Sequence, residues 1–242
     1  MKETGITFTG ESPRAILEGR KTQTRRVRGL EDVNKNPASW ELHRLGALDY
    51  MTRKPFKGRF GATFHSTKIE PRTLSVCPQV CPYGQPGDRL WVRHAFWFYE
   101  STGANPGNRH VWDEFTRVSR WRSGEIAKDV EPDTGEGSLY VRKRSIHMAR
   151  WASRITLEIL KVRVERVQDI SEEDAKAEGI KLISGHKWCP PGKLPPLESD
   201  EWKTVTYKMG FEWLWDSINA KRGFSWGVNP WVWVIEFKKV TA

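Results

Sequence analysis

Cysteine is scarce in this chain. Cys77, Cys81 and Cys189 are too few, and odd in number, for a disulfide-stapled scaffold, and they agree with a reducing compartment. Long apolar runs are missing as well. Neither the opening MKETGITFTG nor any later stretch approaches the roughly 20 apolar residues needed to span a bilayer, so a cytoplasmic protein with no membrane partner is expected. A structural zinc would take about four ligands. Cys77 and Cys81 stand close enough to supply two, and His65, His94, His147 or Cys189 could add to them, but no second close pair exists. Neither a metal nor a cofactor is expected. Internal repeats and low-complexity tracts are also absent.

What is present is length, positive charge and tryptophan. The 242 residues are enough to bury a substantial core, and one elaborated domain over 1–242 is the expectation. The formal net charge of +10 favours a polyanionic or nucleotide-like partner, although a basic surface that only aids solubility would carry the same number. Most of the thirteen tryptophans must be core. Three stretches, about 29–57, 99–137 and 181–199, are rich in turn formers and charge without sustained period, and read as loop-rich inserts.

Glu11 to Arg28, ESPRAILEGRKTQTRRVR, packs several signals into a short space. Ser12 reads as an N-cap, Pro13 as the first helical residue and Gly19 as a left-handed stop. The Thr-rich, Arg-rich segment that follows reads as a strand. If extension begins at Thr22, then Thr22, Thr24 and Arg26 share one face, and Lys21 at the corner can curl toward it; strict alternation from Lys21 would separate it from Thr24. A solvated basic edge strand explains the same residues.

Further strands are expected at Gly5–Thr9, Gly58–His65, Asp88–Phe98, from Ile155 through Val167 with a slip near Leu160, and at the end over NPWVWVIEF. Asp88–Phe98 carries bulk on both faces, which suits a central strand. An amphipathic helix is expected from Ser199 to about Gly223. Between them lies DISEEDAKAEGI, where Ser171 and Asp174 form a cap-like start and Gly179 a stop. Glu178 then falls at the negative end of the helix dipole, a position that disfavours a carboxylate unless it points into water or is retained for chemistry.

Four segments, ILEGRKTQTRR, PGDRLWVR, DISEEDAKAEGI and NPWVWVIEF, together resemble the ASCH domain family, and most closely its longer phage and prophage members. The resemblance implies an α+β fold: a PUA-like β-barrel with flanking short helices and loop-rich inserts. Small bacterial members are N4-acetylcytidine amidohydrolases that use a Lys and a Thr of GRKTxTxR and a Glu near the end of the helix after the long strand. Those roles fall on Lys21, Thr24 and Glu178.

The resemblance therefore implies removal of an acyl group from the exocyclic N4 of a cytidine-type nucleoside. Thr24 could attack the acyl carbon with a neutral Lys21 as base and Glu178 protonating N4, or Glu178 could activate a water. Arg20, Arg26, Arg93, Trp91 and Trp231 are candidates for holding the modified nucleoside. A PUA-like module that binds RNA without catalysis, or an RNA nuclease using the same basic cleft, are the alternatives.

Overall fold

The computed structural model describes residues 1–48, 59–68, 76–100, 109–116, 118–121, 126–128, 140–180, 182–183, 186–187 and 206–240. In chain order these form β1 (Glu3–Thr7), α1 (Ser12–Leu17), β2 (Gln23–Arg26), α2 (Glu31–Asn34), β3 (Trp40–Ala47), β4 (Phe60–Ser66), β5 (Val76–Val80), β6 (Arg89–Arg93), β7 (Phe96–Glu100), β8 (Arg109–Asp113), β9 (Val118–Trp121), β10 (Ile126–Lys128), β11 (Val141–Lys143), β12 (Thr156–Arg166), α3 (Glu172–Ala177), β13 (Leu182–Ile183), β14 (His186–Lys187), α4 (Tyr207–Asn219) and β15 (Trp231–Lys239). The fold is α+β with strands in the majority, and the described strands form open sheets with no closed barrel. No helix among the described residues is long and apolar enough to cross a membrane.

The chain divides into two compact units. The first contains Met1–Gly19, Asp88–Glu158 and Lys239–Ala242. In it β6 lies between β1, paired parallel, and the first residues of β12, paired antiparallel, which is the central position its two bulky faces suggested. A second sheet of the same unit runs β10-β9-β8-β7-β11. The stretch expected as one strand over Asp88–Phe98 is two strands: it breaks after Arg93, and β7 enters this second sheet. His94 sits at the break, where a buried polar ring replaces the next apolar residue of the alternation. Phe96, Val111, Met148 and Ala152 pack together beside it.

The second unit contains Arg20–Gly87 and Ile159–Lys238. Here β15 pairs antiparallel with β2, Trp233 opposite Arg26 and Glu236 opposite Gln23, and β3-β4-β5 form an antiparallel sheet of their own. Valines 27, 167, 232 and 234, with Ile170, Ile180, Phe211 and Trp215, make an apolar core under α3 and α4. Along β12 the buried positions are Leu157 and Ile159, then Val162 and Val164, with Leu160 and Lys161 exposed between them. That change of parity is the slip the sequence pattern predicted.

Several local expectations need correction. Ser12 is the first residue of α1 rather than its cap, because Glu11 is already helical (φ −77°, ψ −6°), and no side chain caps this end. Residues 29–57 were expected as a loop, yet α2 and β3 lie within them. β3 escaped the pattern because its register shifts between Leu42 and Arg44, which destroys period-2 alternation. Residues 99–137 likewise contain strands, including the β8–β9 hairpin. Apart from 182–183 and 186–187, the expected insert at 181–199 lies outside the described residues, as does the expected helix before Thr206. The rest of that helix is α4, capped by the Thr206 hydroxyl and stopped at Gly223 in the left-handed region.

Candidate functional site

The site is built where the first residues of the β2 segment meet the C-terminal end of α3. Gly19, at φ +73°, turns the chain out of α1. α3 is started by Ser171, whose hydroxyl accepts from the Asp174 N–H at 3.1 Å, and is ended by Gly179 at φ +90°. A helix end exposes carbonyls without partners inside the helix. The β2 segment supplies donors to the last three, and one more to the Asp174 carbonyl, which already accepts from the Glu178 N–H. The Gln23 amide donates to the Asp174 carbonyl, the Thr22 N–H to Ala177, Lys21 Nζ to Glu178 and Arg20 to Gly179, at 2.7, 2.9, 2.7 and 3.2 Å.

The carboxylate of Glu178 is held in the same place. Its Oε2 accepts from Lys21 Nζ at 2.7 Å and its Oε1 from Arg25 at 3.2 Å, so two cations answer the unfavourable helix end. Lys21 and Glu178 are each 5% exposed and 157 residues apart in sequence. Arg25, its side chain wholly buried, is the hub. It also donates to Asp174 at 2.8 Å and to Glu165, and Arg163 joins by donating to Asp174 at 3.0 Å.

The environment acts differently on each charge. Burial pushes the Lys21 ammonium below its usual range, Glu178 opposes this, and the Arg26 and Arg25 guanidiniums add to it. Burial also works against the Arg25 charge, but Glu178 and Glu165 hold that guanidinium above its ordinary value. For Asp174, burial is outweighed by hydrogen bonds from Arg25 and Arg163, which hold the carboxyl below the ordinary range. The arrangement can present a carboxylate and an ammonium side by side in a dry setting, where a proton is more readily exchanged than in water.

Thr24 lies on β2 opposite Ile235, 4% exposed. Its hydroxyl takes no part in the hydrogen bonds between Lys21 and Glu178. Gln23 and Arg25 face α3, so alternation puts Thr24 and Arg26 on the other face. Lys21 does not follow that alternation simply. The Thr22 N–H goes to Ala177 while its carbonyl accepts from Phe237, and Lys21 feels charges from both faces of β2, that of Arg26 more than that of Arg25. The pair stands at the margin of the strand. A solvated edge strand does not describe these residues, since Lys21, Gln23, Thr24 and Arg25 are buried.

The other residues singled out from sequence scatter. Arg20 and Arg26 stay beside the cluster, Arg26 with its charge opposed by burial. Trp231 is tied elsewhere in the same unit: its ring meets Phe64 edge-on at 5.1 Å, Arg166 lies over it, and its indole N–H donates to the Pro37 carbonyl. Trp91 and Arg93 belong to the first unit, where the Arg93 guanidinium stacks on the Trp91 ring at 4.5 Å. Gln23, Arg25, Arg163, Glu165 and Asp174 were not anticipated as site residues.

No group of three or more His, Cys, Asp or Glu side chains among the described residues is placed to hold a metal ion. Cys77 and Cys81 are not joined in a disulfide, and Cys189 lies outside the described residues. Comparison with protein-family models, curated proteins and solved structures finds no match to this chain.

Proposed function

We propose that the second unit is an amidohydrolase that removes an acyl group from the exocyclic N4 of cytidine-type nucleosides, on a PUA-like scaffold of the ASCH type. The observation that carries this reading is the buried Lys21–Glu178 contact. Three residues picked by resemblance from segments about 150 positions apart include two that share a hydrogen bond in a site largely closed to solvent. Glu178, already paired with two cations, is the base. It takes a proton from water as the oxygen attacks the acyl carbon. The resulting oxyanion is stabilised by the Lys21 ammonium, and the proton held by Glu178 passes to N4 as the C–N bond breaks, leaving the amine and a carboxylic acid. Thr24, three residues along the chain from Lys21, orients the acyl group. Water is preferred to Thr24 as nucleophile because the pair's hydrogen bonds do not include the hydroxyl.

The same contacts also finish α3, so loss of activity in a variant must be separated from loss of fold. The test is turnover of N4-acetylcytidine, followed by the appearance of cytidine, for the wild type, Glu178→Gln, Lys21→Met and Thr24→Val, with far-ultraviolet circular dichroism on each. Glu178→Gln and Lys21→Met are expected to lose about 100-fold or more, the scale of a removed general base or oxyanion donor, and Thr24→Val about tenfold. A wild type that does not turn over the substrate ends the proposal, as do folded Glu178→Gln and Lys21→Met variants of undiminished activity. A Thr24→Val loss as large as that of Glu178→Gln would return the nucleophile to Thr24.

A further inference from the structure

The first unit contains a cavity of about 330 Å³ that the proposed amidase chemistry does not use. Its lining is of two kinds: Phe8, Pro13, Phe115 and Ile146 are apolar, and Arg142, Arg144 and His94 are basic. The volume falls within the range of small-molecule sites and matches one aromatic ring with a polar head.

One lining residue, His94, belongs to a buried charge pair. His94 and Asp113 are each 1% exposed, with Nε2 and Oδ2 3.2 Å apart but out of hydrogen-bond alignment. His94 Nδ1 is bound to the Ala95 carbonyl at 2.8 Å, and its Nε2 has no hydrogen-bond partner among the described residues. Asp113 accepts from the N–H groups of Phe115 and Thr116, and so fixes the turn that carries the Phe115 ring edge-on against His94. One wall of the cavity is thereby rigid.

Charge accounting gives the ligand its sign. His94 is offset by Asp113, and Arg142 by Glu114 at 2.9 Å. Arg144 is exposed and forms no ion pair among the described residues, so the cavity carries about one uncompensated positive charge. Guanidinium recognises carboxylate and phosphate through paired N–H groups. We propose that this cavity is a second binding site, for a small molecule with a planar apolar body and one anionic head, carboxylate or phosphate. The ring lies against Phe115 and Pro13, and the head meets Arg144. The site is independent of the amidase reading, which concerns the other unit.

Isothermal titration of the full chain with benzoate, cytidine 5′-monophosphate, cytidine and inorganic phosphate tests it. At least one of the first two should bind, in a salt-sensitive way, at least tenfold more tightly than cytidine or phosphate. Which of the two binds tells a carboxylate ligand from a nucleotide. Arg144→Ala, an exposed side chain whose loss should not disturb the fold, is expected to weaken binding about tenfold or more, the scale of a lost charge-assisted contact. Phe115→Ala should weaken it too, and Lys21→Met should leave it unchanged. The proposal is overturned if neither probe binds, if phosphate alone binds as well, if Arg144→Ala and Phe115→Ala both retain full affinity, or if only Lys21→Met abolishes binding.

Discussion

The two units solve the same problem, a charge buried away from water, in different ways. In the second unit Arg25 is shared among Glu165, Asp174 and Glu178, drawn from β12, the middle of α3 and its end. In the first unit the one ion-pair partner of His94 among the described residues is Asp113, 3.2 Å away. Arginine cannot release its proton in a protein, so the Arg25 cluster must keep its partners. Histidine can release it, and the pair then survives as two polar side chains. The first arrangement is permanent, and the second depends on conditions.

The largest expected effect breaks this comparison at its stronger member. Arg25→Met should cost about 3–5 kcal/mol, because it leaves three carboxylates around an apolar side chain, whereas Asp113→Asn should cost less, since His94 can become neutral. Urea unfolding of both variants measures the difference. Equal losses would show that Arg25 is no more committed than His94.

A smaller effect should appear with pH. The pKa of His94 is raised: burial works against its charge, but Asp113 outweighs it. That of Asp113 is lowered, burial again being outweighed by His94. A raised histidine contributes stability that is complete below its ordinary value of 6.5 and is lost as pH climbs through the folded value. A lowered aspartate contributes stability that is present above 3.8 and is lost as pH falls through the folded value. The pair is therefore strongest between those two pH values. Corrected hydrogen exchange at the Phe115 amide should be slower near pH 6 than near pH 9, and the difference should vanish in Asp113→Asn. The Arg25 contacts should show no matching change.

The smallest effect sharpens the comparison by leaving both charge sets alone. Ser171→Ala removes the α3 cap and should cost about 1 kcal/mol in urea unfolding, with N4-acetylcytidine turnover nearly intact. A large loss of turnover would mean that α3 must be rigid for Glu178 to act.

Much of this was legible wherever a local rule decided it. Ser171, Gly19, Gly179 and Gly223 punctuate the chain as their types require, and the slip at Leu160 is visible because apolar residues change parity there. What lay beyond reach was long-range pairing. The misplacement of Glu178 could be seen, but its remedy, Lys21 and Arg25 donating to it, depends on strand register set between β2 and β15. Arg25 was missed for the same reason: its sequence neighbours are cations, while its spatial neighbours are acids. Trp231 misled in the opposite sense, since a large aromatic near a strand start says nothing of the Pro37 carbonyl that receives its N–H.

The pairing of β2 with β15 also sets an order of events during synthesis. Thr24 meets Ile235 and Gln23 meets Glu236, so the opening strand of the second unit has no strand partner in β15 until more than 200 further residues have been made. At about 5–20 residues per second this is a wait of roughly 10–40 seconds, during which Arg25 stays hydrated and the segment is protected from premature association by its own charge. Closing so long a loop is slow but adds little to its final cost, because closure entropy grows only with the logarithm of length. The β2–β15 pairing is thus a late-arriving latch, and its formation should coincide with the last phase of folding.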